Sequence, residues 1–277
     1  MPYMFESLVV INFCLPWLYV LVFVLYIVEF FKSNTFLQRA KRYALAAVSG
    51  IHFIHLVLLT LFYGSLPIAN VYQLLTTVAF TLVIVYLFIE LSTGESSTGS
   101  FMLLAALTFQ SISSLFLFSA SPTELNVRSP LLSLHIITAI LGYSSVAIAG
   151  VYSSLYMALF RQIRANRFGT LFDRLPNLET LEKMSLHAVR IGFIFLSFAF
   201  IAGVMWIPHS QGRFHFTDAK LIGLIMVWLI YGISLLLRER LGWQGQRMAV
   251  LFTLGFLFSF LSMTVLNLFS PRFHSLN

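Results

Sequence analysis

Eight apolar stretches of 18 or more residues follow one another along this chain, at roughly 8–31, 43–63, 71–91, 100–119, 132–160, 188–207, 219–237 and 248–269. A helix needs about 20 such residues to cross a hydrocarbon layer. Backbone amides in lipid must be paired inside their own segment, so helices are the spanning form for runs of this length. The expected fold is an all-α polytopic membrane bundle of eight transmembrane helices. Composition agrees, because 59% of the 277 residues are hydrophobic and 10% are charged, against about 25% charged in a soluble domain. Eight spans of about 20 residues consume roughly 160 and leave loops too short for a folded soluble domain. Residues 1–277 therefore read as one integral membrane domain.

The first run begins after Glu6 without a preceding basic segment or a small-residue cleavage site, which predicts an anchor rather than a cleaved signal. Pro16, Pro67, Pro122, Pro130, Pro176, Pro208 and Pro271 are expected mostly at span ends. The single cysteine, Cys14, excludes a disulfide framework, a CxxC redox pair, a cysteine zinc site and a CxxCH haem attachment. Lying in an apolar run, it is expected to be buried and inert.

The net charge of +7 is assigned to the membrane, not to nucleic acid, because its distribution is one-sided. Thirteen basic residues fall on one side: Lys32, Arg39, Lys41 and Arg42, then Arg161, Arg164, Arg167, Arg174, Lys183 and Arg190, then Arg238, Arg240 and Arg247. Arg128, Arg213, Lys220 and Arg272 are left for the other. The positive-inside rule puts both termini outside, with an even number of spans.

That topology sorts the histidines. His135 opens the fifth span at its outer end, His209 and His215 lie in the outer loop after the sixth, and His274 follows the eighth; His187 is at the inner face. His52 lies ten residues past Arg42, about 15 Å along a helix and near the midplane of a core about 30 Å thick. An imidazole at that depth marks a pathway, a relay or a cofactor, or is bonded to a neighbouring helix. His55 shares its face. Two imidazoles from different helix ends, such as His135 and His274, suit a six-coordinate haem, and zinc or copper as well. Arg128, Arg213 and Arg272 are candidates for anionic groups. Trp17, Trp206 and Trp228 read as aromatic-belt residues, and Asp218 as a first-turn acid.

Four stretches resemble the cytochrome c assembly family, the CcsA, CcmC and HemX-type haem-handling membrane proteins. Gly64-Ser-Leu-Pro-Ile-Ala-Asn-Val-Tyr72 is similar to that family's outer turn, and His135 with Ile-Leu-Gly-Tyr143-Ser to its histidine-led helix. A third stretch runs from Gly192 through Ala202-Gly-Val-Met-Trp206, Phe214-His-Phe-Thr-Asp218-Ala-Lys220 and Trp228 to Tyr231. It continues to Gly242-Trp243-Gln-Gly245-Gln-Arg247, which resembles the family's "GWxGxR" inner loop. The last is Asn267 followed by Phe273-His274-Ser275. Together they cover about residues 51–277.

The resemblance implies an outer haem b site with His135 and His274 as axial ligands to iron. It implies Trp206, Phe214, Phe216 and Asp218 around the macrocycle, with Arg213 and Arg272 for the propionates. The family's tryptophans are replaced by Phe214 and Phe216, Leu221 stands where an acid follows the lysine, and Leu236 where the synthase branch has a histidine. These departures place the chain nearest the HemX-like branch, as an accessory protein rather than a synthase. The implied setting is a bacterial inner membrane, with apocytochrome c and a membrane assembly protein as partners. Two other classes remain open: a transporter with a midplane His52/His55 site, and a HemX-like regulator without bound haem. His52 is also a candidate cofactor contact.

Overall fold

The structure is a computed structural model that describes residues 2–32, 35–68, 70–118, 129–166, 169–210 and 219–269, without the side chains of 2, 170–171, 207–210, 219–221, 260 and 262–269. These residues form helices throughout: α1 (Pro2–Phe31), α2 (Thr35–Tyr63), α3 (Val71–Thr93), α4 (Gly99–Phe116), α5 (Pro130–Arg164), the short α6 (Thr170–Arg174), α7 (Leu178–Ser210), α8 (Ala219–Leu241) and α9 (Gln246–Phe269). Among the described residues, seven of them are long and apolar enough to cross a membrane, and the stretch Gln246–Ser259 of α9 is a shorter apolar helix. The protein is an all-α, multi-span membrane bundle. α9 occupies the eighth expected run.

The helices outreach the apolar runs at their charged ends. α2 begins at Thr35 rather than 43, and α7 at Leu178 rather than 188. The extra turns of α2 survive because their charges are neutralised by other helices. Lys41 Nζ meets Glu29 of α1 at 2.6 Å and lies 4.5 Å from the centre of the Tyr26 ring. Arg42 meets Glu90 of α3 at 3.0 Å, and Tyr26 donates its hydroxyl proton to the same carboxylate at 2.7 Å. Buried charge is tolerated only when paired in this way.

Chain contacts divide the protein into two compact units: residues 1–133 with 168–176, and residues 134–167 with 177–277. The first is a four-helix ring in which α1 packs on α2, α2 on α3, α3 on α4 and α4 on α1. Asn12, Leu15, Tyr19, Val22 and Tyr26 are the buried face of α1, at helical spacing. Cys14 is off that face and exposed, which corrects the expectation that it is buried. A thiol on a lipid-facing surface costs little. Pro16 lies inside α1 rather than at a span end. Its missing N–H leaves the carbonyl of Asn12, four residues back, without its helical donor. Ser114 Oγ of α4 supplies that proton instead, at 2.9 Å.

The second unit packs α7 on α8, α8 on α9 and α7 on α9, with α5 against α7 through small residues. A Cβ on Gly142 of α5 would lie 2.8 Å from Leu196, and one on Gly192 of α7 would lie 3.3 Å from the Gly142 carbonyl. Further along, Ser153 and Ser185 share a hydrogen bond of 2.7 Å. Close backbone approach over Gly, Ala and Ser is how helices associate in lipid, where no hydrophobic drive brings them together.

Candidate functional site

His52 is fully buried in the first unit, and both its nitrogens are occupied. Nδ1 is 2.8 Å from Tyr19 Oη of α1 and Nε2 is 2.9 Å from Thr76 Oγ1 of α3. Thr76 spends its only proton on Gln110 Oε1 of α4, at 2.7 Å, so it must accept from His52. This fixes the tautomer: Nε2 carries the proton and Nδ1 accepts from Tyr19. The chain of bonds goes on from Gln110 Nε2 to Ser114 Oγ at 3.0 Å, and from Ser114 Oγ to the Asn12 carbonyl. Asn12 returns a bond to the Ser114 carbonyl at 2.9 Å. One belt therefore ties all four helices at the level of His52. His55, on the same face, is also buried, and both its ring nitrogens lack a hydrogen-bond partner among the described residues.

The second unit holds its outer histidine differently. His135, in the second turn of α5, is half-buried, and its Nδ1 is 2.7 Å from the carbonyl of Ala199 on α7. A carbonyl only accepts, so Nδ1 carries the proton and the lone pair is on Nε2. The approach depends on Gly203, one turn along α7, where a Cβ would stand 2.9 Å from Nδ1 and 3.0 Å from Cε1. Trp206 follows three residues later and is half-buried. Residues 199, 203 and 206 recur at helical spacing, so the indole belongs to the face that seats the imidazole.

Trp228, expected as a belt residue, is held by α7. Its Nε1 donates to Ser197 Oγ at 2.8 Å, and its ring stacks on Phe193 with centroids 5.3 Å apart. Arg128, Arg213, Phe214, His215, Phe216, Asp218, Arg272 and His274 lie outside the described residues, and His209 outside those with described side chains. Of the expected outer set, the structure describes His135, seated on α7 at Ala199 and Gly203, and Trp206 on that same face of α7.

Two of the resembling motifs acquire physical roles. Asn70 of the outer turn caps α3, accepting from the backbone N–H of Tyr72 and Gln73 at 3.1 and 2.8 Å. In the turn joining α8 to α9, Gly242 and Gly245 take the left-handed conformation, with φ of +62° and +64°. Glu182 of α7 holds this turn, its carboxylate pairing with Arg238 and accepting the Gly245 N–H at 2.9 Å.

Sequence reasoning did not anticipate the partners Tyr19, Thr76, Gln110 and Ser114, nor Ala199, Gly203 and Glu182. The signal available for the first group was polar residues inside apolar runs, Asn12 and Gln110 above all.

The model of the cytochrome c assembly protein family matches residues 68–274. The match begins later than the expected boundary near 51 and leaves α1 and the whole of α2, with His52 and His55, outside it. Among relatives, the chain is similar to the cytochrome c biogenesis protein CcsA of Heterosigma akashiwo, at 25% identity over 252 residues covering 77% of each chain. It is 27% identical to the CcsA of Chlamydomonas reinhardtii over 225 residues, 76% of this chain and 61% of that protein. With the CcsA of Synechococcus elongatus the identity is 23% over 257 residues, 76% and 79% of the two chains.

Proposed function

This chain belongs to the cytochrome c assembly protein family, and from that premise we propose that it holds haem at its outer face and presents it to an apocytochrome c. Membership gives the coarser role: a membrane protein of cytochrome c biogenesis, with haem and apocytochrome c as the partners such a role implies. The finer reading is that haem b is cargo, bound between His135 and His274 in a bacterial inner membrane and delivered with a membrane assembly partner. The chain supplies ligation, orientation and exclusion of water rather than bond chemistry. The substitutions Phe214, Phe216 and Leu221 support an accessory, HemX-like place for it.

The observation that carries this reading is the tautomer of His135. An imidazole whose Nδ1–H is tied to a backbone carbonyl is held in orientation and offers Nε2 outward, the arrangement typical of histidines that ligate metals. That donor fits a haem iron. Trp206, on the same face of α7, suits the macrocycle, Phe214, Phe216 and Asp218 would extend its surround, and Arg213 and Arg272 would meet the propionate edge. His52 has both nitrogens committed to Tyr19 and Thr76, so we assign it to joining helices rather than to iron.

The test is the visible spectrum of the purified protein. Wild type is expected to show a low-spin haem Soret band, and His135→Ala and His274→Ala each to lose it while remaining folded. A colourless wild type, or unchanged bands in both variants, overturns the reading. The outer placement has its own check. A reporter fused after Asn277 should be active only outside the cytoplasm, and cytoplasmic activity would remove the shared face of the two histidines.

A further inference from the structure

The second unit has a cavity of about 670 Å³ that haem presentation at His135 does not use. One wall is α7 from Glu179 to Arg190; the other is Arg238 with Gln244 and Gly245 of the α8–α9 turn. Arg238 and Glu182 are spent on that turn, since Glu182 pairs with Arg238 and takes the Gly245 N–H, and Arg238 donates to the Trp243 carbonyl at 3.1 Å. Lys183, His187 and Arg190 are left, spaced by four and three residues and so on one face of α7. Lys183 has no carboxylate within salt-bridge distance among the described residues. Arg190 has Glu239 at 4.0 Å, with both side chains about half exposed, an arrangement of little strength. Glu179 is the uncommitted acid of the wall. Over the whole lining of this first cavity, Lys183, Arg190 and Arg238 against Glu179 and Glu182 leave a surplus of one positive charge, and Glu239 stands at its border with the next.

A second cavity of about 420 Å³ adjoins α7 and α8, lined by Phe193, Trp228, Leu229, Ile233 and Leu236 with Glu239. Phe193 is one turn past Arg190, so the cationic stretch of α7 leads directly into the apolar one. Leu229, Ile233 and Leu236 are exposed, as are Ile194 and Phe198 on α7, so the trough opens to the side, where lipid is. A cationic base below an apolar trough matches an amphiphile with one anionic group.

We propose that this groove binds an acidic phospholipid of the inner leaflet. Its phosphodiester is held by Lys183, His187 and Arg190, and its acyl chains lie along Phe193, Ile233 and Leu236. Basic pockets between helices on the cytoplasmic side are suited to such headgroups, and the single surplus charge favours a monoanionic phosphodiester over a polyphosphate. The assignment uses the orientation from the basic residues and is independent of the haem reading.

The test uses the full chain in neutral detergent, with phosphatidylglycerol or phosphatidylcholine added. Thermal unfolding and native mass spectrometry are read together. Phosphatidylglycerol is expected to raise the midpoint by about 5 °C over phosphatidylcholine and to remain bound in the spectrum. Lys183→Gln with Arg190→Gln should cancel both effects, while Lys32→Gln with Arg39→Gln, exposed on the first unit, should leave them. Equal shifts with the two lipids, retention in the Lys183/Arg190 variant, or equal loss in the Lys32/Arg39 variant overturns the proposal. Displacement of the lipid by added haemin, dependent on Lys183 and Arg190, would assign the groove to tetrapyrrole carboxylates instead. If the double variant does not fold, Lys183→Gln alone is read by lipid retention. The Soret band of wild type against His135→Ala is recorded separately, so failure here is distinct from failure of the haem site.

Discussion

The two units join their helices by contrasting means, and each gives its histidine a different task. In the first, polar side chains from four helices bond to one another. Tyr19, His52, Thr76, Gln110 and Ser114 form a single directional chain of hydrogen bonds, and Glu29, Lys41, Arg42 and Glu90 pair at its charged end. In the second, α5 and α7 meet through Gly142, Gly192, Ser153 and Ser185, with the backbones nearly touching. A ring caught in the belt has no nitrogen to spare. One resting on a backbone carbonyl keeps a lone pair, as His135 does on Ala199. A histidine's partners, more than its depth, decide whether it ties helices or offers a ligand.

The largest expected effect is the separation of these two tasks by matched substitutions. His135→Ala should abolish the haem spectrum and change the unfolding midpoint little. His52→Phe should do the reverse, because it strands the Tyr19 hydroxyl and shifts the whole belt. Each stranded buried group costs about 1–3 kcal/mol. Parallel Soret and thermal-unfolding measurements on the two variants decide it. If His52→Phe bleaches the protein while leaving it stable, the contrast drawn between the units is wrong.

A smaller effect is expected at Gly203. A methyl group there would stand 2.9 Å from His135 Nδ1, closer than atoms pack, so the ring must move off the Ala199 carbonyl. Gly203→Ala should weaken haem retention without removing it, and should shift the Soret maximum as the imidazole tilts. Gly50, beside which a Cβ would meet nothing, is the control, and Gly50→Ala should leave the spectrum unchanged. Equal spectra for all three proteins would mean that the seat of His135 does not set its ligation.

Much of this was legible in the sequence, for reasons that also explain what was not. Apolar runs report a one-dimensional property, so the spans were readable, and the helical period put His52 and His55 together on one face, which is buried. The helix starts were missed because Lys41 and Arg42 look like the end of a span until Glu29 and Glu90 arrive from other helices to neutralise them. Tyr19 and Thr76 are likewise fixed by the register between helices, on which local sequence is silent. Cys14 was misjudged for a different reason. The stripe of Asn12, Leu15, Tyr19, Val22 and Tyr26 already excludes position 14 from the buried face. Of the outer site, His135 was legible as a residue, but its seat was not, since Gly203 and Ala199 acquire meaning only when α7 is laid against α5.

The smallest effect expected tests the belt at its far end, where Pro16 and Ser114 explain each other. Proline inside a helix removes one N–H, and in lipid no water replaces it. Here the orphaned acceptor is the Asn12 carbonyl, and Ser114 Oγ reaches it at 2.9 Å from α4. Ser114→Ala therefore leaves a buried carbonyl unpaired, and also deprives Gln110 Nε2 of its acceptor. Hydrogen bonds between membrane helices average about 0.6 kcal/mol, so a loss near 1 kcal/mol is expected. Pro16→Ala restores the helical donor to Asn12 and makes the serine proton redundant there. In a double-mutant cycle, Ser114→Ala should cost measurably less in the Pro16→Ala background than alone. The coupling should be a few tenths of a kcal/mol, read from unfolding in mixed detergent. Strict additivity would mean that the carbonyl finds another donor, and that the serine serves only Gln110.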